Sequence, residues 1–263
     1  MITRLLAPNP SPLTGRGTNT YLVGDDRGLA CIDPGPADEA HLAAIRAALD
    51  GAGAPLRTIL LSHSHADHRP LAARLAAATG ASVRALDPGR GDDGALALHD
   101  GERIAAGGLA LEVVATPGHA ADHVCLFEPD AGVLFSGDHV LQGMTTVVAP
   151  PDGDMQAYMT SLERVRSLRP CTILPGHGER VDDAGALIEE YLHHRREREA
   201  QVLAALRERG TAAPLDLVPG IYAAYPEVLW PWAAKSVEAH LEKLFAEGAV
   251  RRAEGDPQGF SVG

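Results

Sequence analysis

The chain is short of cysteine, aromatic residues and basic charge, and it contains no long apolar run. Each shortage excludes something. The three cysteines, Cys31, Cys125 and Cys171, lie far apart and form no Cys-x-x-Cys pair, so no disulfide framework is expected. Each sits in an apolar stretch and reads as a small buried hydrophobe in a reducing, cytoplasmic setting. Aromatic residues make up only 4%, which disfavours the stacking platforms that hold single-stranded nucleic acid. Lys and Arg number 23 against 35 Asp and Glu, giving a formal net charge of -12 and an isoelectric point near 5.4. Such a chain does not draw in phosphate backbones by long-range attraction, although a local basic patch can sit inside an acidic total. No apolar run is long enough to span a bilayer. The opening MITRLLAPNPSP meets prolines too soon for a signal peptide. No internal repeat and no Ser/His/Asp or Cys/His triad is evident.

What is present is an ordinary globular chain of 263 residues, 45% hydrophobic. That is enough for one large domain, or one domain with a small appendage. TNTYLV (18–23) and LACID (29–33) read as a hairpin around the turn GDDRG. EAHLAAIRAALDGAG has helical apolar spacing and a glycine stop. RTILLS (57–62) reads as a buried strand, and PLAARLAAATG (70–80) as a helix with proline in its first turn. ASVRAL is a short strand. Further strands are expected at 109–118, 123–129, 132–139 and 171–178, with an amphipathic helix at 154–168. From about residue 184 a long charged helix begins. Short helices, a helix at AAKSVEAHLEKLFAEG and a hydrophobic tail follow. Several strands thus end in turns that carry histidine or aspartate, a common way for α/β proteins to build a site.

The densest such turn is LLSHSHADHRPLA (60–72), with His63, His65, Asp67 and His68 in six residues. His119 in TPGH, Asp138 in SGD and His177 in PGHG each lie in a glycine-bearing turn downstream. Five histidines and two aspartates suit zinc and related divalent ions. Two metals with three private ligands each and one shared carboxylate need seven groups, which is the number found. In an extended segment His63 and His65 point the same way and can reach one metal. The chain then turns, and Asp67 and His68 face a second.

This motif set resembles the metallo-β-lactamase fold superfamily of metal-dependent hydrolases over about residues 1–180. The resemblance implies an α/β (α+β) fold, a four-layer αββα sandwich with a dinuclear site at one edge. It implies that His63, His65 and His119 bind the first metal. Asp67, His68 and His177 then bind the second, and Asp138 bridges, so Asp67 and Asp138 are catalytic groups as well as ligands. Asp33 in CIDPG matches the family's first motif, as an outer partner that orients ligands. The two ions, zinc by first choice, would lower the pKa of a shared water to about neutral and supply a bridging hydroxide. His/Asp sites also accept manganese or iron.

NPSPLTGRGTNTYLVG and AAKSVEAHLEKLFAEGAV narrow the likeness to the β-lactamase-like protein 2 group. In that group a small helical, winged-helix-like segment follows the metal domain, here about 195–255. The expected domains are therefore 1–180 and 181–263. Over 210–263 four cations face seven acids, a poor footprint for phosphate binding. The tail also suits packing or a homodimer contact.

Two departures stand out. Arg69-Pro70 replaces the Gly-Gly with which many members continue the cluster; Arg69 is either a greeter of anionic substrates or a solvated residue at the helix start. Asp138 stands where several β-lactamases place cysteine, so a true β-lactamase is not expected. His123 and His139 adjoin site motifs, as outer-sphere or substrate-facing groups or as ordinary packing. His193-His194 reads as a solvated pair. The favoured function is hydrolysis of a small-molecule thioester, ester or lactone, with no membrane partner. The alternative is a metal-dependent endoribonuclease on single-stranded RNA, with a basic groove drawn from Arg69, Arg195, Arg196 and Arg198. A non-catalytic metal scaffold is disfavoured because every expected ligand is present.

Overall fold

The computed structural model describes residues 1–256 and 258–262. It divides into two compact units. The first comprises Met1–Thr116, Asp122–Thr146 and Val165–Leu187; the second comprises Pro117–Ala121, Val147–Arg164 and Ile188–Gly263. The boundary expected at residue 180 thus falls inside the first unit, and the second also takes two segments from mid-chain.

The first unit is built on two sheets. One has six strands in spatial order: β1 (Ile2–Leu6), β2 (Asn19–Asp25), β3 (Gly28–Ile32), β4 (Leu56–Leu60), β5 (Ser82–Ala85) and β6 (Leu96–Ala97). The other runs β11 (Thr172–Pro175), β10 (Val133–Gly137), β9 (Val124–Glu128), β8 (Leu109–Ala115), β7 (Arg103–Ala106). Strand alternation explains the layering. Tyr21, Val23, Ala30, Ile32 and Leu60 face the second sheet and pack with Leu111, Val113, Leu126 and Phe135. Their neighbours Leu22, Leu29, Cys31, Ile59 and Leu61 face the opposite way, towards α1 (Glu39–Ala52) and α2 (Ala72–Thr79). β3 and β4 pair in parallel. β3 is buried along its whole length and reads as a continuous apolar run, whereas β4 is buried at Leu56, Ile59 and Leu60 and exposes Arg57.

Local signals set the helix limits. Asp38 caps α1 by accepting the His41 N–H, and Gly53 ends it at φ 64°. α2 starts at Ala72, so Pro70 lies before the helix and not in its first turn. Residues 66–68 form a tight turn there, with the His68 and Arg69 N–H groups both donating to the His65 carbonyl. That turn postpones the helix.

Two helices run on from the first unit or lie mostly in the second, α3 (Met155–Ser167) and α4 (Ala184–Arg209). The second unit adds α5 (Pro214–Ile221), α6 (Trp230–Ala246) and a small sheet ordered β12 (Thr211–Ala212), β14 (Phe260–Val262), β13 (Val250–Arg252). Val202, Leu206, Leu217, Val237, Leu241 and Phe260 form its core. Three helices and a terminal antiparallel hairpin are the parts of a winged helix. Among the described residues no helix is long and apolar enough to cross a membrane.

Two expectations need correction. Cys31 and Cys125 are buried, but Cys171 is exposed, because it precedes β11 and only the strand itself is covered. Arg69 is neither solvated nor free. It is buried at 5% exposure, and its guanidinium forms a fork with Asp93 at 2.7 and 2.8 Å and donates to the Pro88 carbonyl. Its charge ties down the loop after β5. Arg69→Ala would leave the Asp93 carboxylate without its cation and with only the Ala95 N–H, and a loss of about 3–5 kcal/mol is expected in urea unfolding.

Candidate metal centre

Six of the seven expected ligands belong to the first unit. They sit in turns where neighbouring strands end. β3 ends one residue before Asp33, β4 runs into His63–His68, β10 into Asp138 and β11 into His177. His177 Nε2 lies 3.2 Å from Asp67 Oδ2 and 3.3 Å from Asp138 Oδ2. His68 Nε2 lies 3.4 Å from each of the same two carboxylates. The His63 ring is 4.5 Å from His65 and 4.3 Å from His68, centroid to centroid. Donor atoms of His63, His68 and Asp138 fall within 4.8 Å of one another, as do those of Asp67, His68 and His177. Gly176 makes the approach possible: a Cβ there would stand 2.4 Å from Asp138 Oδ1.

The outward nitrogens decide which atoms point inward. His68 Nδ1 donates to Asp33 Oδ2 at 2.9 Å. His63 Nδ1 meets Ser62 Oγ at 2.9 Å, and Ser62 Oγ donates on to Asp33 Oδ2 at 2.6 Å. His177 Nδ1 donates to the Gly17 carbonyl at 3.2 Å. Each Nε2 is thereby left as the candidate ligating atom, the pattern in which metal-binding imidazoles are held. Asp33 is the hub for two of them. It is buried, takes φ 49°, and also accepts the Ser62 N–H at 2.7 Å. A left-handed backbone is costly for most residues but tolerable for aspartate. Thr18 Oγ1 donates to Asp67 Oδ2 at 3.2 Å, so the TGRGTN loop braces two ligands, Asp67 and His177.

His119 belongs to the second unit, where its Nδ1 donates to the Val147 carbonyl at 2.6 Å. His139 is fully buried. His193 is exposed and pairs with Glu197. Sequence reasoning missed Ser62 and Thr18. Both are small hydroxyl residues next to ligand motifs, a weak signal in any chain.

The donor set fits divalent ions: imidazole nitrogens and carboxylate oxygens, mostly buried, with Nδ1 of His63, His68, His119 and His177 engaged elsewhere. Without metal, protons take its place. Burial alone would raise the Asp67 and Asp138 carboxyls, but His68 and His177 hold both well below the usual carboxylate range. Burial works against His177 as a cation, yet the Asp138 charge and hydrogen bonds to Asp138 and Asp67 raise it from 6.5 to about 9. A raised folded pKa stabilises fully below 6.5, and the contribution is lost as pH rises through about 9. The chelated protein is therefore expected to lose thermal stability over that window. Metal uptake should release protons, most at the acid end, and added metal should restore the midpoint.

Comparison with known proteins shows the family. The metallo-beta-lactamase superfamily matches residues 13–177, and the beta-lactamase associated winged helix domain matches 213–258. The chain is 35% identical to a beta-lactamase-like protein 2 homolog of Drosophila melanogaster, covering 99% of this chain and 93% of that protein. It is 32% identical to the lactamase-like protein adaB of Aspergillus niger, covering 100% and 86%. A metallo-beta-lactamase family protein from Thermus thermophilus superposes with TM-score 0.82 at 26% identity, covering 100% and 98%. A protein solved in a di-iron-bound form matches at TM-score 0.58 and 27% identity, covering 70% and 96%. The chain belongs to the metallo-β-lactamase superfamily, a mixed α/β fold of hydrolases, with a C-terminal winged helix.

Proposed function

We propose that the protein is a dinuclear metal-dependent hydrolase of a small-molecule thioester, ester or lactone. The observation that carries this is the convergence of His68 and His177 Nε2 on the Asp67 and Asp138 carboxylates, with each Nδ1 engaged elsewhere. His63, His65 and His119 would hold one ion, and Asp67, His68 and His177 the other. Asp138 would span them. When bound, the metal pair supplies a nucleophilic water at neutral pH and positive charge at the developing oxyanion. Zinc is the first choice; the di-iron relative makes iron the main competitor. Asp67 is the more exposed carboxylate, 27% against 10% for Asp138. Of the two carboxylates it is thus the better placed to exchange a proton with solvent.

Charge supports small-molecule chemistry over RNA. A basic groove drawn from Arg69, Arg195, Arg196 and Arg198 finds little free charge. Arg69 is locked to Asp93, Arg195 is buried over the Tyr158 ring, and Arg198 is buried over Tyr222. Arg196 pairs with Glu163 at 2.8 Å. The winged helix is similarly matched, with Lys235 on Glu238 and Lys243 on Glu199 and Glu247.

The test is a panel of thioesters, esters and lactones beside a labelled unstructured RNA. The metal-loaded protein and its His63→Ala variant are run together. Carbonyl hydrolysis that falls more than ~100-fold in the variant, beyond the ~10–100-fold typical of outer-partner losses, supports the reading. Internal RNA cuts by the parent and none by the variant would overturn the substrate class.

A further inference from the structure

We propose that His123 is a positioning residue for Asp138, holding the backbone of the bridging carboxylate and so setting the spacing of the metal pair. The inference rests on the dinuclear reading above. His123 is fully buried, just before β9, and Asp138 follows β10. The Asp138 N–H donates to His123 Nε2 at 3.1 Å. That bond fixes every hydrogen behind it. A peptide N–H only donates, so Nε2 accepts and the ring proton of the neutral imidazole sits on Nδ1. Nδ1 therefore donates to Thr116 Oγ1 at 2.8 Å. The Thr116 hydroxyl passes its own hydrogen to Cys125 Sγ at 3.4 Å. Donor and acceptor agree at each link, from β8 through β9 to the turn after β10.

The turn is also clamped sterically. Gly137 takes φ 47°, and a Cβ there would stand 2.7 Å from Ser62 Cβ and 2.8 Å from His123 Nε2. Ser62 is the residue that links His63 to Asp33. The Asp138 backbone is thus gripped between the support of the His63 side and His123. Asp33 orients the rings by hydrogen bonds to side chains; His123 places the bridge by a hydrogen bond to the main chain. A histidine that merely fills core volume has no need of this directional chain.

The test compares His123→Leu, which removes the acceptor at similar bulk, with His123→Gln, whose amide oxygen can reach the Nε2 position. Thr116→Val, which leaves the ring in place and removes its brace, guards against a leucine variant that does not fold. Chelated proteins are titrated with Mn(II), with metal affinity, exchange coupling by electron paramagnetic resonance and metal-free unfolding midpoint read for each. The expected result is a ~10–100-fold loss of affinity and altered coupling in His123→Leu, the scale of outer-partner losses. Thr116→Val should show a smaller loss, and His123→Gln should recover most of both signals. A lowered midpoint with affinity and coupling unchanged in His123→Leu would overturn the proposal. So would a glutamine variant as weak as the leucine one. A parent protein that takes up fewer than two ions would instead overturn the dinuclear reading beneath it.

Discussion

Asp138→Ala is expected to abolish hydrolysis while leaving the fold standing. The side chain lies in a turn outside the inter-sheet core, so its loss empties no apolar layer. Its two oxygens meet both His68 Nε2 and His177 Nε2. No neighbouring carboxylate replaces it, because Asp67 already faces the same two rings. In the metal-free variant, His68 and His177 lose the partner that most raises them and are expected to titrate lower than in the parent. The variant should keep its far-ultraviolet dichroism and fall by at least ~10²-fold in kcat, the scale of a lost charge-stabilising group. Unchanged turnover at full metal loading would remove the bridging role.

The second large effect is expected at Asp33, which is not itself a proposed metal ligand but holds the rings that are. Its carboxylate accepts the Ser62 N–H, the Ser62 hydroxyl and His68 Nδ1. Asp33→Ala strands three buried donors, each costing about 1–3 kcal/mol where no water reaches it. It also frees two ligating rings at once, since Ser62 Oγ is the partner of His63 Nδ1. Metal affinity should fall ~10–100-fold or more, and urea unfolding should show a marked loss of stability. Asp33→Asn keeps an acceptor for the Ser62 N–H but brings an NH₂ group towards other donors. It should recover stability in part and affinity little. Parental metal affinity in Asp33→Ala would show that the rings orient themselves without it.

The ligand cluster was legible because metal chemistry restricts residue type and strand geometry restricts spacing. Composition alone makes His63, His65, Asp67 and His68 within six residues after an apolar strand an improbable grouping. The fully covered strand β3 was legible for a related reason: burial on both faces leaves an unbroken apolar run. What escaped notice has weaker local signatures. β1 alternates exposed and half-buried positions at a sheet edge, and its arginine breaks the apolar pattern. β6 and β12 are two residues long, and their pairing is set by partners distant in sequence. Arg69 was misread because its partner Asp93 lies 24 residues on, in a loop whose course no periodicity reveals. Ser62, Thr18 and His123 act through single hydrogen bonds, and only the folded backbone shows where those point.

The most direct measurement is the number of metal ions bound per chain, read together with activity as metal is returned to the chelated protein. The account predicts two ions, with hydrolysis appearing as the second site fills. Full activity at one ion per chain, or none bound by a folded protein, would contradict it.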